Sequence, residues 1–143
     1  MKYNKTVGMV SIHIDTKRID DNVRRAQDLL DQQVLNDMIP YMPYQEGAMV
    51  GATHIIEPGL ISTNTPYAHY QYEGEIYGPN IPIRDDEGNI TGWWSPPNKT
   101  KTGRLLTYNK TFNPKATDHW FEHAKEEHGE QWLDLVRREV GKG

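Results

Sequence analysis

The sequence predicts an α+β domain: a small, mainly antiparallel sheet with a long N-terminal helix and a C-terminal helix, plus a projecting loop or hairpin. Three observations predict it. Ile19, Val23, Ala26, Leu30, Val34 and Met38 recur at three- and four-residue steps, the spacing of one face of a helix. Short apolar stretches bounded by Gly, Pro, Asn and Asp fill the middle of the chain, which suits strands and tight turns. Phe121, Ala124, Trp132, Leu135 and Val136 restore a helical pattern near the end.

The elements follow in chain order. Residues 7–14 put Val10, Ile12 and Ile14 on one side and Met9, Ser11 and His13 on the other, the period of two expected of a half-buried strand. Asp15 or Thr16 then caps a helix over 17–39, with Asp20 and Asp21 near its positive end; from Lys17 to Met38 it spans about 33 Å. Arg18, Asp21, Arg25, Asp28 and Gln32 face water, and Pro40 stops the helix. A hairpin is predicted over 48–64, turning at Pro58-Gly59, where Pro sets the first φ and Gly accepts a positive second one. Thr65-Pro66 opens a short helix to Tyr72 that Gly74 ends, with Tyr67 and Tyr70 on one face. The segment 81–104 projects, with Asp85 to Asn89 as a tip between Ile83 and Ile90, then Trp93-Trp94 and a loose loop over 96–103. Leu105 to Tyr108 returns as a strand, and Thr117 or Asp118 caps a C-terminal helical segment over 117–140 that Gly129 interrupts.

Bulk properties narrow the function. At 143 residues one domain is expected over 1–143, burying roughly 68% of its unfolded surface. Only 36% of residues are hydrophobic and mean hydropathy is −0.81, little for a chain that must bury a core alone. The missing contacts are expected from neighbouring molecules. A net charge of −4 argues against whole-molecule attraction to nucleic acid or anionic membrane. With no cysteine there is no disulfide framework, thiolate metal site or cysteine nucleophile. No signal-peptide pattern or long apolar run is present, so the cytoplasm is the expected site of synthesis, and the Asn-X-Thr triplets are read as chance.

Catalytic patterns are nearly absent. His119-Trp120-Phe121-Glu122-His123 matches the His-x-x-Glu-His arrangement of inverted zinc peptidases, in which two histidines one helical turn apart face a Zn²⁺ ion. Only 20 residues follow His123, too few for the distant third ligand, so a structural helix with exposed histidines is the better reading. Asp85-Asp86-Glu87 sits in a turn where adjacent side chains diverge, which suits a solvated tip better than acid/base or Mg²⁺ chemistry. No catalytic residue, metal or cofactor is expected.

Charge distribution says more. From Gly88 to Thr117 there is no Asp or Glu, while Lys99, Lys101, Arg104, Lys110 and Lys115 all fall there. This stretch suits phosphate or an acidic partner surface, or equally a solvated edge whose lysines prevent mispairing. Tyr67, Tyr70, Tyr72, Trp93 and Trp94 are the interface anchors; stacking on single-stranded bases is the alternative.

Several segments in order resemble the minor capsid or head-to-tail joining (tail-completion) proteins of long-tailed bacteriophages: Leu30-Asp31-Gln32-Gln33-Val34-Leu35-Asn36-Asp37, Pro40-Tyr41-Met42-Pro43 with Gly47, Asn64-Thr65-Pro66-Tyr67-Ala68 with Tyr70, Tyr72 and Gly74, and Trp120-Phe121-Glu122-His123-Ala124-Lys125 leading to Trp132. The resemblance covers about residues 17 to 136; residues 81 to 103 are the least matched part. It implies an α+β fold, no catalytic residues, and a homo-oligomeric ring at the virion neck, between portal and adaptor proteins on the head side and tail terminator or tail tube proteins on the other. Non-specific contact of the basic positions with packaged DNA would accompany that role, without any membrane partner. A non-specific nucleic-acid-associated binding module is the alternative function.

Overall fold

A computed structural model of the chain describes residues 1–44 and 47–143. The fold is α+β, with small antiparallel sheets and helices. The strands form four separate two-stranded ribbons instead of one sheet: β1 (Lys2–Val7) with β2 (Val10–Asp15), β3 (Thr53–Glu57) with β4 (Leu60–Thr63), β5 (Glu75–Gly78) with β8 (Thr100–Leu105), and β6 (Ile81–Arg84) with β7 (Ile90–Trp94). The helices are α1 (Lys17–Met38), α2 (Ala48–Gly51), α3 (Ala68–Glu73) and α4 (Trp120–Val140). The long helices α1 and α4 therefore pack chiefly on each other, not on a sheet.

The α1–α4 pair is antiparallel and tied at both ends. Asn22 Nδ2 donates to the carbonyls of Val140 (3.2 Å) and Lys142 (2.7 Å). Toward the other end, Trp132 Nε1 donates to Asp37 Oδ2 at 2.7 Å. The core gathers at and beyond this second tie, where the end of α1 meets the first half of α4: Met38, Tyr41, Met42, Met49, Ala68, Trp120, Ala124 and Trp132, with Leu30, Val34 and Leu35 packed against it. Arg18, Arg25, Asp28 and Gln32 are exposed as expected. Ile19 and Val23, expected on the core face, are exposed as well. The C-terminal end of α4 lies opposite Asn22, so the facing helix runs out near the first turns of α1.

Side-chain ties hold the smaller elements to this pair. The buried Asp31 carboxylate accepts from Gln27 Nε2 (2.7 Å) and from the Gly59 amide (2.9 Å), fixing the β3–β4 turn against α1. Gly59 takes φ +81°, as the Pro58-Gly59 turn requires. Asn113 Nδ2 donates to the carbonyls of Ile39 (3.2 Å) and Met42 (2.9 Å), and the amides of Thr117 and His119 donate to the carbonyls of Tyr41 and Tyr72. These bonds lace the irregular stretch before α4 onto the turn after α1 and onto α3.

Several boundaries differ from the sequence reading, each for a local reason. The strand expected over 7–14 is β2, one half of a ribbon whose residues are all exposed. Gly8, at φ +61°, turns the chain back onto Lys2–Val7, whose alternation is interrupted by Lys5. Residues 48–51 are a helical turn, so the predicted 48–64 hairpin is confined to β3 and β4. Thr100–Leu105, read as loop up to residue 103, pairs with β5, whereas residues 106–108 are not strand. The projecting hairpin is accordingly limited to β6 and β7, around the tip at Asp85 to Asn89.

Two predictions about α4 also fail. The helix runs unbroken through Gly129, because Ala124 and Trp132 on either side are buried and their packing outweighs the roughly 1 kcal/mol that Gly costs in a helix. Its N-cap is neither Thr117 nor Asp118 but His119, at φ 42° and ψ 47° in the left-handed region, where the Asp118 carboxylate meets its imidazole at 3.0 Å.

Candidate interaction surfaces

The β1–β2 ribbon is two-faced. Its register pairs Tyr3 with Ile14, Lys5 with Ile12 and Val7 with Val10, so these six side chains share one face. The opposite face is polar: Thr6 and Ser11 hydroxyls lie 3.2 Å apart, and His13 Nδ1 is 2.6 Å from Asn4 Oδ1. Every one of the apolar residues is exposed. An alternating strand pattern normally signals a face against a core; here, among the described residues, no element covers that face.

The β6–β7 ribbon presents a second such surface. Ile81 pairs with Trp94 and Pro82 with Trp93, placing the two tryptophans on opposite faces. Trp93 is 61% exposed and Trp94 53%. At the tip, the Asp85 carboxylate accepts from the amides of Asn89 (2.8 Å) and Glu87 (3.0 Å), which holds its pKa below the ordinary value. That carboxylate is committed to shaping the turn, leaving no acid/base pair there.

The third surface is concave. Leu30 and Val34 of α1 floor a groove between α4 and the β3–β4 ribbon, and Phe121, Trp132 and Leu133 form its α4 wall. Two adjoining depressions, of about 540 and 460 Å³, share Leu30, Val34 and Phe121. Asp31, Glu126 and Glu130 line it with carboxylates, against the single ammonium of Lys125. The lining is predominantly apolar, as recognition sites for side chains of a partner are.

The residues singled out from sequence are divided among environments. Tyr67 is exposed and caps α3 from outside the helix, while Tyr70 is half-buried with its ring 4.7 Å from that of Tyr77, so the two do not form a single face. Tyr72 is half-buried, edge-on to Trp120 at 4.7 Å, and donates to the Glu122 carboxylate. Burial, then Glu122, pushes its pKa well above the ordinary phenol value. Tyr72 thus belongs to the packing of α3 on α4.

The five basic positions do not share one environment. Lys99 Nζ donates to Asn80 Oδ1 at 2.8 Å, Lys101 pairs with Glu73 at 3.5 Å, and Lys115 pairs with Glu127 at 3.6 Å while lying over the Tyr41 ring. Arg104 and Lys110 are exposed and have no ion pair among the described residues. His119 is the N-cap of α4, its carbonyl accepting from the His123 amide at 3.2 Å, but the two rings have different neighbours: the His119 imidazole meets the Asp118 carboxylate at 3.0 Å and His123 stacks loosely on Tyr41 at 6.4 Å. Among the described residues no group of three His, Asp or Glu side chains is arranged to hold a metal ion, and no helix is long and apolar enough to cross a membrane.

The ribbon face of Tyr3, Val7 and their partners, and the groove of Leu30, Val34, Phe121 and Leu133, were not singled out from sequence. The alternation Tyr3, Lys5, Val7 was the available signal for the first; the second is made by elements distant in the chain and left no local one.

No curated protein and no solved structure matches this chain. The sequence model of a family described as minor capsid protein matches residues 9–140, which takes in α1, α4 and every strand named above except β1. With extended ribbons carrying uncovered apolar faces, a small core, and a family match over nearly the whole length, the chain belongs to the minor capsid proteins, which gives it a structural part in a phage particle.

Proposed function

We propose that this chain is a neck protein of a long-tailed phage, assembling as a ring of identical copies that joins the DNA-filled head to the tail. The observation that supports this most is the exposed aromatic and aliphatic surface on the β1–β2 and β6–β7 ribbons, far more than a monomer of this size needs to show. In a ring these faces are covered by neighbours, and association adds to stability by mass action. Portal or adaptor proteins on one side and tail terminator or tail tube proteins on the other are the partners, with Tyr67, Trp93 and Trp94 as contact residues. The role is structural, with no chemical step for any residue. Arg104 and Lys110 are the basic positions best suited to touching packaged DNA, a contact that weakens steeply with salt.

Particles assembled without this chain test the reading. Filled heads and detached tails are the expected products. Intact, infectious particles would refute it.

A further inference from the structure

Two unpartnered features of this chain fit each other: an extended ribbon with one apolar face, and an apolar groove with an acidic rim. We infer that the β1–β2 ribbon of one copy seats in the α1–α4 groove of the next, making a head-to-tail contact between identical chains. The inference deepens the ring reading above and rests on it for its biological setting only.

Charge selects the ribbon. The apolar face of β1–β2 carries one charged residue, the cation Lys5 opposite Ile12, whereas Lys2 lies on the polar face across from Asp15. The groove rim offers Glu126 and Glu130 against Lys125 alone, while Asp31 behind them is buried and held by Gln27 and the Gly59 amide. The other exposed ribbon, β6–β7, brings Asp85, Asp86 and Glu87 at its tip and would meet carboxylate with carboxylate. Burying like charges together is disfavoured, so β1–β2 is the better occupant.

A second copy supplies the occupant because the chain's own ribbon does not. It leaves the start of α1 at Thr16, held there by the Thr16 amide donating to the Met1 carbonyl at 2.8 Å and the Lys17 amide to Asp15 Oδ1 at 2.9 Å. All twelve strand residues remain exposed in that position. Ribbon and groove are different surfaces, so each copy uses one on either side, and the contact repeats until a ring closes or a filament grows. Five large side chains on the ribbon cover roughly half of the ~800 Å² per partner of a standard interface, so one contact alone is weak and becomes persistent when repeated.

The chain has no cysteine, which makes a cross-linking test clean. Ile12 and Leu133 are both exposed, so I12C and L133C leave the core intact, as circular dichroism would verify. Under mild oxidation of concentrated purified protein, the double variant is expected to give a ladder of disulfide-linked multimers, and an equimolar mixture of the two single variants to give mixed dimers only. The pairs I14C with F121C and V10C with V136C cover a shift in register. A ladder lost on adding Val7→Asp would support the contact further. No ladder from any of the three pairs, or like-with-like dimers preferred in the mixture, overturns it. The readout is a bond between purified chains, so it can fail while particles still need the protein, or succeed while head-to-tail joining does not.

Discussion

The four tryptophans of this chain divide evenly between core and surface, and that division predicts opposite consequences for one substitution. Trp120 and Trp132 are 4% and 7% exposed; Trp93 and Trp94 are 61% and 53% exposed. A fully buried tryptophan removes up to about 250 Å² from water, which at about 25 cal/mol per Å² bounds its contribution near 6 kcal/mol. Alanine retains part of that area and the unfolded chain already buries some, so Trp120→Ala is expected to cost about 3–5 kcal/mol. For a chain of this length that lowers the melting temperature by about 10–15 °C. Trp93→Ala and Trp94→Ala remove side chains that are more than half exposed on the β6–β7 ribbon and are expected to shift stability by less than about 0.5 kcal/mol. If they anchor a partner, each costs about 2 kcal/mol or more in association, about a thirtyfold loss of affinity. Thermal unfolding of the isolated protein reads the first quantity, and recovery of joined particles from the same variants reads the second. A Trp93→Ala or Trp94→Ala protein that melts as early as Trp120→Ala would refute the reasoning, since the ribbon would then be packed on the body of the molecule. Stable variants that also join particles normally would remove the two residues from the interface.

Three further outcomes follow from individual contacts. Asp31→Ala deletes two charge-assisted hydrogen bonds, to Gln27 and to the Gly59 amide, and is expected to destabilise by about 2–3 kcal/mol, with faster hydrogen exchange at Gly59. Gly74 closes α3 at φ +75°, where an added Cβ would lie 2.7 Å from the Asp118 Cβ, so Gly74→Ala adds that collision to a left-handed penalty of about 1–2 kcal/mol; denaturant unfolding measures the sum. Burial, then Glu127, pushes the Tyr41 phenol up to about 12, and burial, then Asp118, does the same for Tyr108; burial, then Glu122, raises Tyr72 further still. Their contribution is therefore complete below pH 10, the ordinary phenol value, and falls as pH rises toward 12, because the unfolded chain loses those protons first. Phenolate absorbance is expected to rise for these three together with unfolding, and Tyr72→Phe to flatten the alkaline slope; three phenols titrating independently in folded protein would contradict this.

Much of the architecture is local, and local rules reach it. The α1 helix is set by six apolar residues at helical spacing and by Pro40, the Pro58-Gly59 turn by the φ each residue adopts, the end of α3 by Gly74, and the β6–β7 hairpin by the acidic tip between two apolar strands. The shortage of internal core also needed only composition.

What depends on distant partners was decided in three dimensions. Periodicity tells which side of a strand or helix is apolar but not whether anything covers it: Ile12 and Ile14 have the pattern of a half-buried strand and Ile19 and Val23 that of a core face, yet all four are exposed. Gly129 weakens a helix by itself, while the burial of Ala124 and Trp132 keeps α4 whole. The tyrosines are assigned by tertiary neighbours as well, Tyr72 to the α3–α4 packing and Tyr67 to solvent. The α1–α4 groove exists only because Leu30 and Phe121, about ninety residues apart in sequence, meet across two helices, and a pattern read one neighbourhood at a time carries no term for such a meeting. Composition limited how much core this chain could bury; the tertiary structure decided which of its apolar faces that core leaves exposed.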